Sequence, residues 1–326
     1  MKNLKKQDHP SNKYGHLAER PKEIKPKGWK FIFKRVKKGI ELDHIPIVAA
    51  GVAFFFFFSL FPAIAALISI YGLIMDPQQV QQQVSELAFL LPNQASQFLM
   101  DTLQNIAKKP GETLGWGFVL SVLISLWSAN LATRALFKGI NIVYNEKNKR
   151  NFFQEIGLSL LFTLGAILVG IICLSLIVGF PAVSNPLNLP GYINTLIKWG
   201  RWLILAFIII LSIAIIYRFA PSRRGPKFRW VTWGSVIATV LWLIVSWAFS
   251  FFVDNFGNFD QIFGPVAAII ILMLWFFLTS FLILIGAELN AEMEHQTKKD
   301  TTIGADSPMG EREAYHADHV AGEENE

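Results

Sequence analysis

IPIVAAGVAFFFFFSLFPAIAALISIYGLIM, residues 45–75, contains no charged side chain, and its reading decides the fold. Phe54 to Phe58 are consecutive, so the segment is apolar all round rather than at alternate positions. Barrel strands would alternate apolar and polar residues, whereas a helix satisfies its own backbone hydrogen bonds in lipid. About 20 mostly apolar residues suffice to cross the hydrocarbon as a helix. The same criterion marks 113–133, 230–253 and 261–287, with Ala267 to Leu274 again apolar all round. It also marks the first part of 156–197, before Pro181, Asn185, Pro186, Pro190 and Gly191 interrupt the run. Residues 202–217 are a shorter run, whose flanking Arg201 and Arg218 can snorkel to the interfaces. The prediction is an all-α membrane protein with six transmembrane helices.

Composition agrees. Of 326 residues 52% are hydrophobic and 17% charged, where a soluble domain carries about a quarter charged. The 28 Phe and 10 Trp exclude a disordered chain. One cysteine, Cys173, excludes disulfide frameworks, Cys-rich zinc sites and iron–sulfur ligation from this chain.

Lys and Arg placement gives the orientation. Thirteen lie within residues 1–44, and further groups fall in 138–150 and 218–229. The alternate loops carry Lys108, Lys109, Lys198 and Arg201. By the positive-inside rule both termini are expected in the cytoplasm, as an even number of spans requires. No apolar run begins within the first 44 residues, so anchoring is expected from the spans and not from a signal peptide.

Three regions are expected. Residues 1–28 form a basic, disordered segment; 29–295 form the membrane domain; 296–326 form an acidic tail without apolar periodicity, expected to be disordered and dispensable. At the start of the membrane domain Trp29, Ile32, Phe33, Val36 and Ile40 recur at helical spacing, with Lys30, Lys34, Arg35, Lys37 and Lys38 between them. That pattern suits an interfacial helix on an anionic cytoplasmic leaflet, with membrane lipids as the partner and no nucleic acid. Residues 78–108 carry two more apolar stripes and are expected as external amphipathic helices.

Polar residues at membrane depth are the candidates for function. Arg134 and Lys138 lie one turn apart on the second span, and Glu288 and Glu292 one turn apart on the sixth. Both pairs fall at the cytoplasmic end, where they either pair across a helix interface, Arg134 with Glu288, or snorkel into headgroups. Asn130, one turn above Arg134, would lie beside such an inner gate or hydrogen-bond between helices. Pro62 is expected to kink the first span. Asp254 and Asp260 mark an external turn, and Gly264 with Pro265 start the last helix. His316 and His319 have no third fixed ligand and carry no metal site. No phosphate loop, metal helix or nucleophile elbow is present, so no catalytic residue, metal or cofactor is expected.

Three stretches carry a family resemblance. Ala49 through Phe54-Phe55-Phe56-Phe57-Phe58 to Pro62, Tyr217-Arg218-Phe219-Ala220-Pro221, and Trp275 through Gly286-Ala287-Glu288-Leu289-Asn290-Ala291 resemble motifs of the YihY/BrkB family over roughly residues 30–295. The resemblance implies a multi-pass protein of the bacterial inner membrane with six helices. Members were long labelled tRNA-processing ribonuclease BN, and others are linked to serum resistance or envelope lipid homeostasis. A metal-dependent nuclease needs clustered ligands such as a His-x-His-x-Asp-His run, and this sequence has none. The expected function is therefore a transporter or flippase-like component of envelope lipid homeostasis, with an envelope lipid-transport partner as candidate associate. A structural scaffold is the alternative, and a ribonuclease the least favoured reading.

Overall fold

The computed structural model describes residues 14–74, 111–174, 176, 191–256 and 266–321. Among these no strand forms; an isolated bridge joins Pro226 to Thr302. Helix α1 (Pro26–Leu42) starts on a proline, whose missing N–H is no loss in a first turn, and closes at Asp43. His44 takes a left-handed backbone, φ 50°, and the chain bends by 62° between α1 and the first half of α2 (Ile45–Ile74). The remaining long helices are α3 (Gly111–Val143), α4 (Phe152–Leu174), α5 (Gly191–Phe219), α6 (Phe228–Phe256) and α7 (Val266–His295), followed by a single turn, α8 (Tyr315–Asp318).

Helices α4 to α7 are each long and apolar enough to cross a membrane, through Phe152–Cys173, Trp199–Phe219, Phe228–Val253 and Val266–His295. Counting the bent pair α1 and Ile45–Leu60 as one span makes five by that test. From α2 to α7, helices adjacent in sequence pack side by side, and α7 closes the ring on α2 while also touching α3 across it. Ile45, Ala49 and Val52 of α2 meet Phe137 and Ile140 of α3 and Leu284 of α7 in the core. Leu123, Trp127, Leu161, Leu203, Phe207 and Trp247 point outward and are more than half exposed, the surface a helix bundle offers to lipid.

Two small-residue contacts set the central packing. A Cβ on Gly286 would overlap the Tyr217 hydroxyl, and one on Gly234 would overlap the Asn290 side chain, so α6 and α7 cross with their backbones nearly touching. Hydroxyls within the helices mostly satisfy themselves: Thr163, Ser212, Thr232 and Thr239 each donate to the carbonyl one turn back.

Several expectations need correction. Residues 14–28 are ordered onto the bundle: Ala18 and Ile24 are buried with Trp230, Leu289 and Met293. The tail is folded as far as Ala321, with Thr297, Thr301, Thr302 and Arg312 buried. Composition misled here because the acidic residues are used locally. Asp300 accepts from the Ser307 and Thr302 amides, and Asp318 from those of Gly310 and Arg312. Helix α1 does turn aside from α2, but Ile32 and Val36 pack against protein and not against lipid, while Phe33 is turned outward. Asp254 still belongs to α6, and Pro62 lies inside α2, where a kink leaves the helix continuous. Residues 78–108, Asp260, Gly264 and Pro265 lie outside the described residues.

Candidate functional site at the capped end of the bundle

The last three turns of α7 are buried on every side, from Gly286 to Glu294. This explains a pattern that no amphipathic rule fits: Glu288, Asn290, Glu292 and Glu294 alternate along the helix, so successive polar side chains meet two opposite walls. Residues four apart share a face. Glu288 and Glu292 face α1, while Asn290 and Glu294 face α6 and the chain just before it.

On the α1 side the two helices match turn for turn. Arg35 donates from Nε to Glu292, and from Nη2 to the Glu292 carbonyl at 3.1 Å and Gln296 Oε1 at 2.9 Å. One turn further along α1, Gly39 lies against Glu288, where any Cβ would overlap the carboxylate. Glu288 is 3% exposed and its Oε2 has no hydrogen-bond partner among the described residues. Asp43 lies one turn beyond Gly39; burial, with Glu292 adding to it, pushes its carboxyl up to about 6.

On the opposite side Asn290 holds α6, accepting from the Gly234 amide at 2.9 Å and donating to the Val231 carbonyl at 3.3 Å. Glu294 receives both guanidinium nitrogens of Arg223, at 2.9 and 2.7 Å, with both side chains wholly buried. Thr301 donates to the same carboxylate at 2.9 Å, and the Tyr144 ring lies 4.2 Å from the guanidinium. Burial works against the Arg223 charge, yet Glu294 and its hydrogen bonds carry this group above the ordinary arginine range. The folded tail closes this end. Lys227 reaches Asp306, Arg312 donates to the carbonyls of Ser307, Ala317 and Lys298, and Tyr315 donates its amide to Glu146. His316 is packed 5.3 Å from His295, and burial pushes it down to about 3, which keeps it neutral.

The site residues predicted from sequence are only partly brought together. Glu288 and Glu292 do share one wall. Arg134 does not reach Glu288: it pairs with Glu155 of α4 at 3.1 Å, and Glu155 also accepts from Asn148. That carboxylate is fixed by a capping box in which Asn151 and Gln154 bond each other's amides at the start of α4. Lys138 points outward, exposed. Asn130 is buried, with its Oδ1 unpartnered among the described residues, so it lies inside the bundle but not beside an Arg134–Glu288 gate. Arg35, Arg223 and Glu294 escaped the sequence reading. The signal for the first was available, since Arg35 and Gly39 repeat at the same spacing as Glu288 and Glu292.

Beside this cluster lies an open cleft of about 780 Å³ between α1, Tyr14 with His16, and Gln296 with Ala321. Among the described residues no group of three or more His, Cys, Asp or Glu side chains is placed to hold a metal ion.

Comparison with known proteins fits this architecture. The family described as Virulence factor BrkB matches residues 36–309. A ribonuclease-like protein of Bacillus subtilis (strain 168), YfkH, is 27% identical over 256 residues, covering 77% of this chain and 90% of that protein. UPF0761 membrane proteins of Idiomarina loihiensis and Vibrio parahaemolyticus are 28% and 25% identical, covering 64% and 81% of this chain and 70% and 82% of theirs. No solved structure matches. A match running from within α1 into the folded tail, over all of α7, makes this chain a membrane protein of the YihY/BrkB family.

Proposed function

We propose that the protein is a six-span component of the bacterial inner membrane with both termini in the cytoplasm, acting as a transporter or flippase-like element in envelope lipid homeostasis. The observation that carries this reading is the placement of α1. It leaves α2 at a 62° bend, is pinned to α7 by Arg35 and Glu292, and turns Lys30, Lys34, Lys37 and Lys38 outward with Phe31 and Phe33. A helix held along the bundle end with lysines and aromatics facing out is suited to an anionic leaflet, where each cation contributes about 1 kcal/mol. The capped end would then be cytoplasmic, in line with the Lys and Arg count of the loops.

A scaffold is the second reading, favoured by the wholly buried Arg223–Glu294 pair, which suits a rigid end better than a moving one. The ribonuclease-like name of the Bacillus relative finds no metal-ligand cluster among the described residues to support it. Reconstitution separates the first two. In liposomes containing fluorescent phosphatidylglycerol, with and without a proton gradient, the transporter reading expects lipid movement between leaflets above that of protein-free vesicles. Movement equal to protein-free vesicles under both conditions leaves the scaffold. Alkaline-phosphatase fusions test the topology, and activity at residue 225 would overturn it.

A further inference from the structure

We propose that the cleft beside α1 binds a phosphate-bearing anion on Lys34, Lys37 and Lys38. The proposal deepens the lipid reading and rests on it only for placing the cleft at the cytoplasmic leaflet. The cleft measures about 780 Å³, room for a headgroup-sized ligand, and α1 forms its basic wall. The three lysines stand at positions three and four apart, so they project together from one helix face. All three are exposed, and none has a hydrogen-bond or ion-pair partner among the described residues. Arg35, in the same wall, is already committed to Glu292 and Gln296. The division is informative: the arginine fixes the wall, and the lysines are left to the cleft.

Three ammonium groups held on a pinned helix repel one another, and Glu41 is the acidic group of the lining. A phosphate, with several anionic oxygens around one centre, can accept from more than one lysine at once, which a single carboxylate does less well. Gln296 and His16 complete the lining, and the Gln296 side chain is already held between Arg35 and the Tyr14 carbonyl, so the lysines are the groups left for an anion. The rim is apolar: Phe31 is 47% exposed, with the Tyr14 ring edge-on at 5.4 Å. That combination accommodates a lipid phosphodiester with acyl chains passing the rim, or a soluble phosphomonoester. The phosphate chemistry is common to both sources.

The test uses the full chain in phosphatidylcholine nanodiscs, with dioctanoyl phosphatidylglycerol and glycerol 3-phosphate as separate probes and saturable binding as the readout. At least one probe is expected to bind. Saturation by the lipid alone names a headgroup as the source, and saturation by glycerol 3-phosphate alone names a soluble phosphate. K34Q/K38Q is expected to weaken binding by about tenfold or more, the loss expected for charged hydrogen bonds. E41Q is expected to tighten it. K30Q removes one charge from α1 outside the cleft lining and is expected to stay within about twofold, since Lys30 would act on the anion only through solvent and without a hydrogen bond. Unfolding midpoints without probe show whether each variant is folded. Failure of both probes to saturate, or equal weakening by K30Q and K34Q/K38Q, overturns the proposal. The cleft and the transport reading fail separately: saturable binding without lipid movement keeps the cleft and removes transport, and lipid movement without saturable binding does the reverse.

Discussion

Removing one partner of the Arg223–Glu294 pair is the sharpest perturbation this fold offers. Both side chains are wholly buried, the contact is bidentate at 2.9 and 2.7 Å, and Thr301 donates to the same carboxylate. Arg223→Gln would leave an ionised Glu294 with one hydroxyl for compensation, and Glu294→Gln would leave a buried guanidinium facing an amide. Breaking a buried pair from one side costs about 3–5 kcal/mol, because an uncompensated charge remains away from water. The double variant leaves no such charge, so it should lose less than the sum of the singles, with a coupling of about 1–3 kcal/mol. Denaturant unfolding in a fixed detergent, followed by tryptophan fluorescence, measures all four corners of the cycle. A second readout is local. Glu294 also holds Thr301, so either single change should speed protease cleavage within residues 297–321 before the bundle unfolds. Additivity within about 0.5 kcal/mol, or single variants as stable as the wild type, would refute the claim that this pair ties the tail to α7.

Asp43 gives a pH dependence. Its carboxyl is pushed up to about 6 by burial and Glu292, above the roughly 3.9 of an unfolded chain, so its contribution is complete below about pH 4 and lost as pH rises through about 6. Relative to D43N, the wild-type unfolding midpoint should therefore fall between about pH 4 and 7, and a constant difference across that window would count against it. Deleting residues 297–326 should lower the unfolding midpoint markedly, since Thr297 bonds the Ala18 carbonyl and Arg312 is buried; an unchanged midpoint would restore the dispensable tail. Arg134 and Glu155 should couple by up to about 1 kcal/mol in a double-mutant cycle, modest because both are partly exposed, and Arg134 with Glu288 should be additive. The reverse pattern would reinstate the Arg134–Glu288 gate. R35K should destabilise by about 1–2 kcal/mol, since an ammonium cannot reproduce the fork onto Glu292 and Gln296, while K30R should be neutral; equal effects would refute the distinction.

The helical class was legible because apolarity all round, as in Phe54 to Phe58, needs only the sequence and the bilayer. The α1 stripe was legible for the same reason, as a periodicity. What covers the stripe was not, because lipid and the Leu289–Met293 face of α7 make the same apolar demand. Arg134 and Glu288 were brought together by comparing depth along two helices, and depth carries no information about angle around the bundle. The capping box at Asn151 and Gln154 instead brings Glu155 to Arg134 from the next helix. The order of the tail is hidden from composition for another reason. Low hydrophobicity implies disorder only when the segment must build its own core, and this one docks on a core already made, using backbone-to-carboxylate turns at Asp300 and Asp318.

Counting Lys and Arg together, as a topology rule does, hides a division between them. Arg35 and Arg223 hold α7; Arg134 holds the start of α4; Arg150 donates to the carbonyls of Phe219, Ala220 and Pro221 that end α5; Arg312 gathers three carbonyls of the tail. A planar guanidinium with five donors and weak hydration suits such buried, multiple contacts, while a compact, strongly hydrated ammonium does not. Lys30, Lys34, Lys37 and Lys38 correspondingly stay exposed on α1. Arg35, Arg134 and Arg223 are paired with carboxylates within the fold, while the four lysines of α1 stay exposed to what lies outside it. That helix owes its position to Glu292 and Glu288 on another. The acidic motif of α7 therefore acts on the surface indirectly: it sets where a row of lysines stands, and the cleft they line follows from that placement.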